Sequence, residues 1–366
     1  MKIKFLDLNR IHSNLSKKFL IIFKRHLKNS DFILGKELLK FEKEFAKYCG
    51  TKYCVGVSSG TDALRLSLIS LGIKKGDKVI VPDFTFIATA TAVVHVGAEP
   101  VFCDIEEDTL GINPFDLEKK ITSKTKAIVC VHLFGNPCNI KEILKIAKKY
   151  DLKVIEDTSQ AHGAQVDNKK VGSFGDLGCF SFFPSKNLGA LGEAGCIITN
   201  KKKLYEHILK LRNCGRNFRN DFTELGFNNR LDTLQAGFLR IKLKYLDKWN
   251  QERKRIVSWY KKFLKLKEVK FLPEEKYGTC VYHILSILCK RRNELADFLR
   301  KKGIETKIYY EKPLHLQPCF KFLGYKKGDF PISEKISKNI LSLPLYPGLR
   351  FEEVKFICES IKRFYQ

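Results

Sequence analysis

Residues 126–159, KAIVCVHLFGNPCNIKEILKIAKKYDLKVIEDTS, carry the pattern that decides the fold. A short apolar run, KAIVCVHLFG, gives way to KEILKIAKKY, whose apolar positions recur at helical spacing, and a second apolar run, KVIEDTS, follows. Strand, helix and strand in that order describe a crossover between parallel strands. The same rhythm extends outward. KVIVPDF, TFIATATAVVHVG, EPVFCDI and FDLEKKI precede it, and LGCFSFF and GCIITN follow it. The chain is therefore predicted to be α/β, with an open, mostly parallel sheet covered by helices on both faces. Ligands of such sheets bind beyond the carboxyl ends of the strands, so the residues just after each strand carry the functional reading. No G-x-G-x-x-G stands among them, which argues against a dinucleotide fold.

Residues 1–50 read as helical after a short extended start, interrupted by DFILG at Asp31–Gly35; KELLKFEKEFAKYC then resumes with Leu38, Leu39, Phe41, Phe45 and Tyr48 on one face, and Gly50 ends it. Around Leu231 the pattern changes, and RLDTLQAGFLRIKLKYLDKWNQERKRIVSWYKKFL reads as one long amphipathic helix without proline. It is expected to bridge a large domain, 1–245, and a small C-terminal α/β domain, 246–366, made of the strand CVYHILSILC, the helix RNELADFLRKKG and a terminal helix from Phe351. At 366 residues the chain exceeds what one core organises.

The formal charge is +27, from 67 Lys and Arg against 40 Asp and Glu. The lysines are scattered in small groups such as Lys74–Lys75, Lys119–Lys120 and Lys201–Lys203, with no basic stripe interleaved with aromatics. They read as solvated faces that also attract an anionic substrate, and no nucleic-acid partner is expected. No run approaches a membrane span, and FLIIF at Phe19–Phe23 is bracketed by lysines, so no membrane association is expected. The start, MKIKFLDLNRIHSN, lacks an apolar signal region, and a cytoplasmic protein is expected. Twelve cysteines occur without one C-x-x-C, and Cys54, Cys103, Cys130, Cys179 and Cys196 fall in strand-like runs. They read as reduced, buried thiols, and no metal is expected.

Four strand ends hold the candidate chemistry. SSGTDA at Ser58–Ala63 runs from a strand into a helix through small residues, which makes either a phosphate seat at a helix N-terminus or a simple cap by Ser59 or Thr61. In PDFTFIAT, Phe86 can stack on a flat heteroaromatic ring or serve the core. In EDTSQAHGA, Asp157 can hold a pyridine nitrogen protonated or cap a helix. In FSFFPSKNLGALGEAG at Phe180–Gly195, Ser181 can donate to the same phosphate, and Lys186, among aromatic and small residues, can form a Schiff base with an aldehyde. A phosphate seat, a stacking ring, a carboxylate and a lysine together fit pyridoxal 5'-phosphate.

These stretches, with VHLFGNP, GFNNRLDTLQA, PLHLQPCF and LSLPLYPGL, make the chain resemble the DegT/DnrJ/EryC1/StrS family of sugar aminotransferases from end to end. The resemblance implies the aspartate aminotransferase fold (fold type I) and pyridoxal phosphate as cofactor, passing through pyridoxamine phosphate. It implies Lys186 as the Schiff-base lysine, Asp157 at the pyridine nitrogen, Gln160 near the ring hydroxyl, and Gly60, Thr61 and Ser181 at the phosphate. It also implies Asn228 of GFNNR completing the phosphate site of a neighbouring subunit, hence a homodimer with shared sites. L-glutamate is the implied amino donor and a nucleotide-linked keto-deoxysugar the acceptor. DFILGKEL resembles the variant of enzymes that aminate carbon 3 of dTDP-3-keto-6-deoxyhexoses; amination at carbon 4 is the alternative. Related dehydratases carry histidine where Lys186 stands, which favours transamination, and the intact Asp157, Ser181 and Lys186 disfavour a non-catalytic scaffold. In the loop IYYEKPLH, Tyr310 and His315 match the family and are expected at the sugar, whereas Tyr309 replaces a common His and Glu311 a common Pro.

Overall fold

The computed structural model describes residues 2–217 and 219–366. In chain order, the helices α1 (Leu8–His12), α2 (Ser16–Asn29) and α3 (Lys36–Cys49) lead into β1 (Tyr53–Val57), α4 (Gly60–Ser70), β2 (Lys78–Pro82), α5 (Ala88–His95) and β3 (Glu99–Cys103). Then come α6 (Pro114–Lys119), β4 (Thr125–Val131), α7 (Ile140–Lys149), β5 (Lys153–Asp157) and the short pair β6 (Gln165–Val166) and β7 (Lys169–Lys170). β8 (Leu177–Ser181), β9 (Gly195–Thr199), α8 (Lys202–Leu211), α9 (Thr233–Leu243) and α10 (Leu246–Phe263) follow. The chain finishes with β10 (Val269–Leu272), β11 (Leu285–Cys289), α11 (Arg292–Lys301), α12 (Pro331–Asn339), β12 (Ile340–Leu343) and α13 (Phe351–Tyr365).

Seven strands form one sheet in the order β1-β9-β8-β5-β4-β2-β3. Neighbours from β8 to β3 run parallel, and β9 is antiparallel to both β8 and β1. Alternation along the strands sends successive side chains to opposite faces. Val79, Val81, Val129 and Ile155 pack with Leu64 and Leu68 of α4 and Val93 of α5. Ile80, Ile128 and Val154 between them pack with Ile140 and Ile143 of α7. Both faces are covered, which is why these strands read as unbroken apolar runs. A second, antiparallel sheet, β10-β11-β12, shares a core with α10, α11 and α13 through Ile256, Tyr260, Leu295, Ile357 and Ile361. Ile3 bridges to Ile304 and is buried in that second core.

The expected single helix after Leu231 is two helices, α9 and α10, parted at Lys244–Tyr245. The apolar faces of the two serve different cores: Ala236 and Leu239 pack with Phe41 and Phe182, whereas Ile256 and Tyr260 pack with the second sheet. A turn in which the Tyr245 N–H donates to the Lys242 carbonyl at 2.9 Å re-aims the chain without a proline or glycine. The proposed domain boundary at 245 falls at this turn. Of the twelve cysteines, all free, only Cys214 and Cys319 are exposed. No helix among the described residues is long and apolar enough to cross a membrane.

Candidate active site

The carboxyl ends of β1, β2, β4, β5 and β8 open onto one cavity of ≈ 780 Å³. Gly60, Thr61, Phe86, Asp157, Gln160, Ser181, Lys186 and Tyr310, all singled out from the sequence, line it. The loop from β8 to β9 is anchored on itself, with the Ala190 N–H donating to the Phe182 carbonyl at 2.7 Å and the Lys186 N–H to the Phe183 carbonyl at 2.9 Å. It presents Lys186 to the cavity, half-buried, where burial pushes its amine down to about 8 and the Asp157 carboxylate only partly opposes that shift. A free amine is thus accessible near neutral pH, as a carbonyl-trapping lysine requires.

Asp157 ends β5 and is buried, accepting from the Thr89 hydroxyl at 2.9 Å and from the Ser159 N–H at 3.1 Å. Its neighbour Glu156 faces the other side of the strand, where His132 at 3.0 Å and the N–H groups of Gly172, Phe174 and Gly175 hold it. Period-two alternation thus divides one carboxylate for the site from one for the scaffold. Gln160 is fixed at both ends, its Oε1 accepting from the Phe134 N–H at 2.8 Å and its Nε2 donating to the Tyr310 hydroxyl at 3.1 Å. Burial raises the Tyr310 phenol and keeps it neutral.

At the N-terminus of α4 the cap is Ser59, whose hydroxyl accepts from the Asp62 N–H at 3.1 Å, which leaves Thr61 to face the cavity. Gly60 is required by closeness: a Cβ there would lie 2.6 Å from the Ser181 Cβ and 3.2 Å from the Ser159 Oγ. The first turn of α4 is thereby pressed against the end of β8, so that Thr61, Ser159 and Ser181 line the cavity beside a helix N-terminus, a setting that suits an anion. Phe86 is 54% exposed, a large ring without a core role, 6.4 Å from the Tyr310 ring.

Two of the named residues do not line this cavity. His315 is a correction: it is buried away from the cavity, its Nδ1 2.7 Å from Asp83 and its Nε2 3.3 Å from Glu334. Burial would lower its pKa, but the two carboxylates outweigh that and raise it, so it serves as a buried ionic tie rather than a sugar contact. Asn228 is exposed, bridges to Asn213, and is not among the residues lining its own chain's cavity. Tyr309 does line the cavity and its ring lies 6.0 Å from Phe5, whereas Glu311 is exposed outside it.

Ser159, Arg253, His283, Lys312 and Gln317 line the cavity without having been singled out. Ser159 stood inside the quoted EDTSQAHGA and its position two residues past Asp157 was a usable signal; Arg253 and His283 sit in amphipathic or apolar runs that gave none. Among the described residues one cluster has ligand-like spacing, Cys130, His132 and Cys138. Both nitrogens of His132 are already engaged, Nε2 with Glu156 and Nδ1 with the Cys138 N–H at 3.2 Å.

A mostly parallel sheet with a lysine, a carboxylate and an anion seat around one cavity, beside a smaller antiparallel domain, defines a fold type I aminotransferase. Residues 14–362 match the DegT/DnrJ/EryC1/StrS aminotransferase family, and the chain belongs to it. It is 42% identical over 362 residues, 99% of each chain, to the dTDP-3-amino-3,6-dideoxy-alpha-D-galactopyranose transaminase of Aneurinibacillus thermoaerophilus. It is 41% identical to a UDP-N-acetyl-3-dehydro-alpha-D-glucosamine 3-aminotransferase of Acidithiobacillus ferrooxidans, over 99% of this chain and 97% of that one. A Geobacillus stearothermophilus relative, 40% identical over 100% of this chain and 99% of its own, is named a pleiotropic regulatory protein. Among solved structures, DesV of S. venezuelae, captured with a ketimine intermediate, superposes with a TM-score of 0.97 at 36% identity, covering 100% of this chain and 99% of that one. NtdA of Bacillus subtilis, with bound cofactor PMP, gives a TM-score of 0.92 at 31% identity, over 99% and 85% of the chains.

Proposed function

We propose that the protein moves the amino group of L-glutamate to carbon 3 of a dTDP-linked 3-keto-6-deoxyhexose, with pyridoxal 5'-phosphate as cofactor and as a homodimer with shared sites. The convergence of Lys186, Asp157 and the Gly60–Thr61–Ser181 seat on one cavity carries this reading. The cofactor, when bound, supplies an aldehyde for amine exchange and a ring that withdraws electrons from the substrate Cα. The residues present fit it. Gly60 lets the first turn of α4 pack against the end of β8, Thr61 and Ser181 line the cavity there as the phosphate seat, Phe86 offers a face for stacking, and Asp157 presents a buried carboxylate to the ring nitrogen. The Thr89 hydroxyl and the Ser159 amide, both donating to Asp157, hold its carboxylate in place.

Lys186 takes the proton from the donor's Cα and returns it one position away, acting as general base and then general acid; a pKa near 8 suits both roles. The reverse sequence delivers the amine to the sugar. Tyr310, fixed by Gln160, and Tyr309 form the wall against which the sugar lies. The relatives from Aneurinibacillus and Acidithiobacillus, both named as carbon-3 enzymes, support the position of amination, and DFILGKEL agrees with them. Asn228, exposed on its own chain, completes the phosphate seat of the neighbouring subunit.

Purified protein reconstituted with the cofactor should absorb at about 410–430 nm and bleach with glutamate. Mass spectrometry of a panel of dTDP-, UDP- and GDP-linked 3-keto and 4-keto deoxysugars then identifies the product. Amination of dTDP-linked 3-keto sugars supports the proposal; amination confined to 4-keto sugars overturns the carbon, and no band after reconstitution overturns the enzyme reading.

A further inference from the structure

His283 lines the same cavity as Lys186, and its hydrogen bonds decide which of its nitrogens carries the proton. Two backbone carbonyls fix the chain of amides behind it. Asn250 Nδ2 donates to the His162 carbonyl at 2.8 Å, so its Oδ1 is the acceptor facing Asn187, at 2.9 Å from Asn187 Nδ2. Asn187 Nδ2 also donates to the Val281 carbonyl at 3.1 Å. The remaining atom of that amide, Oδ1, lies 3.1 Å from His283 Nδ1. An amide oxygen can only accept, so Nδ1 bears the hydrogen and Nε2 is left as a lone pair. Arg253 steadies the backbone, its Nη1 donating to the carbonyls of Tyr282 and His283 at 3.3 Å and of Leu345 at 3.0 Å.

Protonating that lone pair is opposed from every side. Burial pushes the imidazole well below its ordinary value, and the positive charges of Lys186, Arg253 and, when protonated, His162 push it further. His283 is therefore an acceptor that does not become a cation. Asn187, its amide partner, is the residue next to Lys186 in the chain, so the acceptor is tied to the loop that carries the reactive amine.

We infer that His283 is a positioning residue for Lys186: the two line one cavity with no hydrogen bond between them in the structure, and once the cofactor passes from Lys186 to the substrate the freed amine donates to Nε2, which turns the amine's own lone pair toward the substrate Cα. The inference rests on the reading of Lys186 as the proton-moving amine. It requires no charge on the imidazole, since a neutral acceptor binds an N–H of the neutral amine and still tolerates the ammonium after the proton arrives. The Asp157 carboxylate favours the ammonium, so the lysine's protonation is set by burial, Asp157 and this acceptor together.

Selective ¹⁵N-histidine labelling, with His283→Gln to assign the signals, tests the idea without turnover. Cofactor-free wild type should show the Nδ1-protonated tautomer, unchanged between about pH 5 and 9. Lys186→Met should move the Nε2 signal. An Nε2-protonated tautomer, or a signal indifferent to Lys186→Met, overturns the inference whether or not the enzyme reading holds. In the reconstituted enzyme, His283→Phe should slow bleaching by glutamate at least about tenfold and shift the pH profile's Lys186 limb, while His283→Gln, which retains an acceptor, restores most of the rate. Equal rates and equal pH profiles for wild type and both variants would overturn the inference and leave the aminotransferase assignment standing; a wild type that never bleaches would overturn that assignment, while the tautomer measurement still decides the role of His283.

Discussion

Lys186 is one of many lysines, and its environment separates it from the rest. Lys186→Ala should lower turnover by at least about 10²–10⁴-fold while leaving circular dichroism and melting cooperative, the loss of a general acid and base. Its pKa makes a second, thermodynamic prediction. In cofactor-free protein the folded value is depressed from 10.5 to about 8, so between those limits the unfolded chain binds more protons than the native one and stability rises with pH. Below that window both states are charged and the full burial cost is present. Lys186→Met should then stabilise the cofactor-free protein near neutral pH by on the order of 1–3 kcal/mol, with the gain shrinking to nothing at the alkaline end, as urea unfolding at several pH values would show. Asp157→Asn should cut the rate by orders of magnitude with the cofactor still bound, read as an unchanged phosphate affinity. Both residues were legible in the sequence as members of one set, a carboxylate past one apolar run and a lysine past the next, with a small-residue strand-to-helix turn upstream. His283 and Arg253 were not, since the amide that orients His283 is 96 residues away and Arg253 lies among the charged residues of an amphipathic helix.

Helices and strands were legible where apolar periodicity was strong, and the failures have a common cause. The parting of α9 from α10 left no local mark, because a change in which core a helix faces is a tertiary event that propensity does not record. His315 misled for a related reason: a histidine within a family-like loop reads the same whether it meets a sugar or a buried Asp83. The contact between α4 and β8 leads to a prediction of its own. Gly60→Ala brings a Cβ to 2.6 Å from Ser181, and neither backbone can retreat from the sheet. A loss of about 1–3 kcal/mol is expected, with weaker cofactor retention on dialysis. At the far end of the chain, Arg10 grips Glu353 of α13 through paired bonds of 2.7 and 2.8 Å. That hydrogen bonding holds the Glu353 carboxyl down to about 2 from 4.5, so its stabilisation is full above 4.5 and is lost as pH falls through 2. Glu353→Gln should cost about 1.5–3 kcal/mol at neutral pH and remove this part of the acid dependence.

On the scale of the whole molecule, Leu20, Ile21, Leu27, Phe32, Ile33 and Leu39 expose apolar side chains on and between α2 and α3, far more than scattered surface residues explain. A second copy is the proposed cover, and Asn228 supplies the test. Equal mixing of Asn228→Ala and Lys186→Ala subunits after unfolding and refolding should recover about one quarter of wild-type sites, since half the dimers are hybrids with one intact site each. No recovery would exclude a shared site.

The bridge between Ile3 and Ile304, with the Ile3 N–H donating to the Gly303 carbonyl at 2.8 Å, places Phe5 and Leu6 on the cavity wall. During translation Ile3 must wait for its bridge partner, some three hundred positions downstream. At about 5–20 residues per second that delay is on the order of tens of seconds, during which the large sheet can assemble but its site lacks one wall. The cavity wall thus closes only after residue 304 has been made, later than the large sheet that carries the other walls.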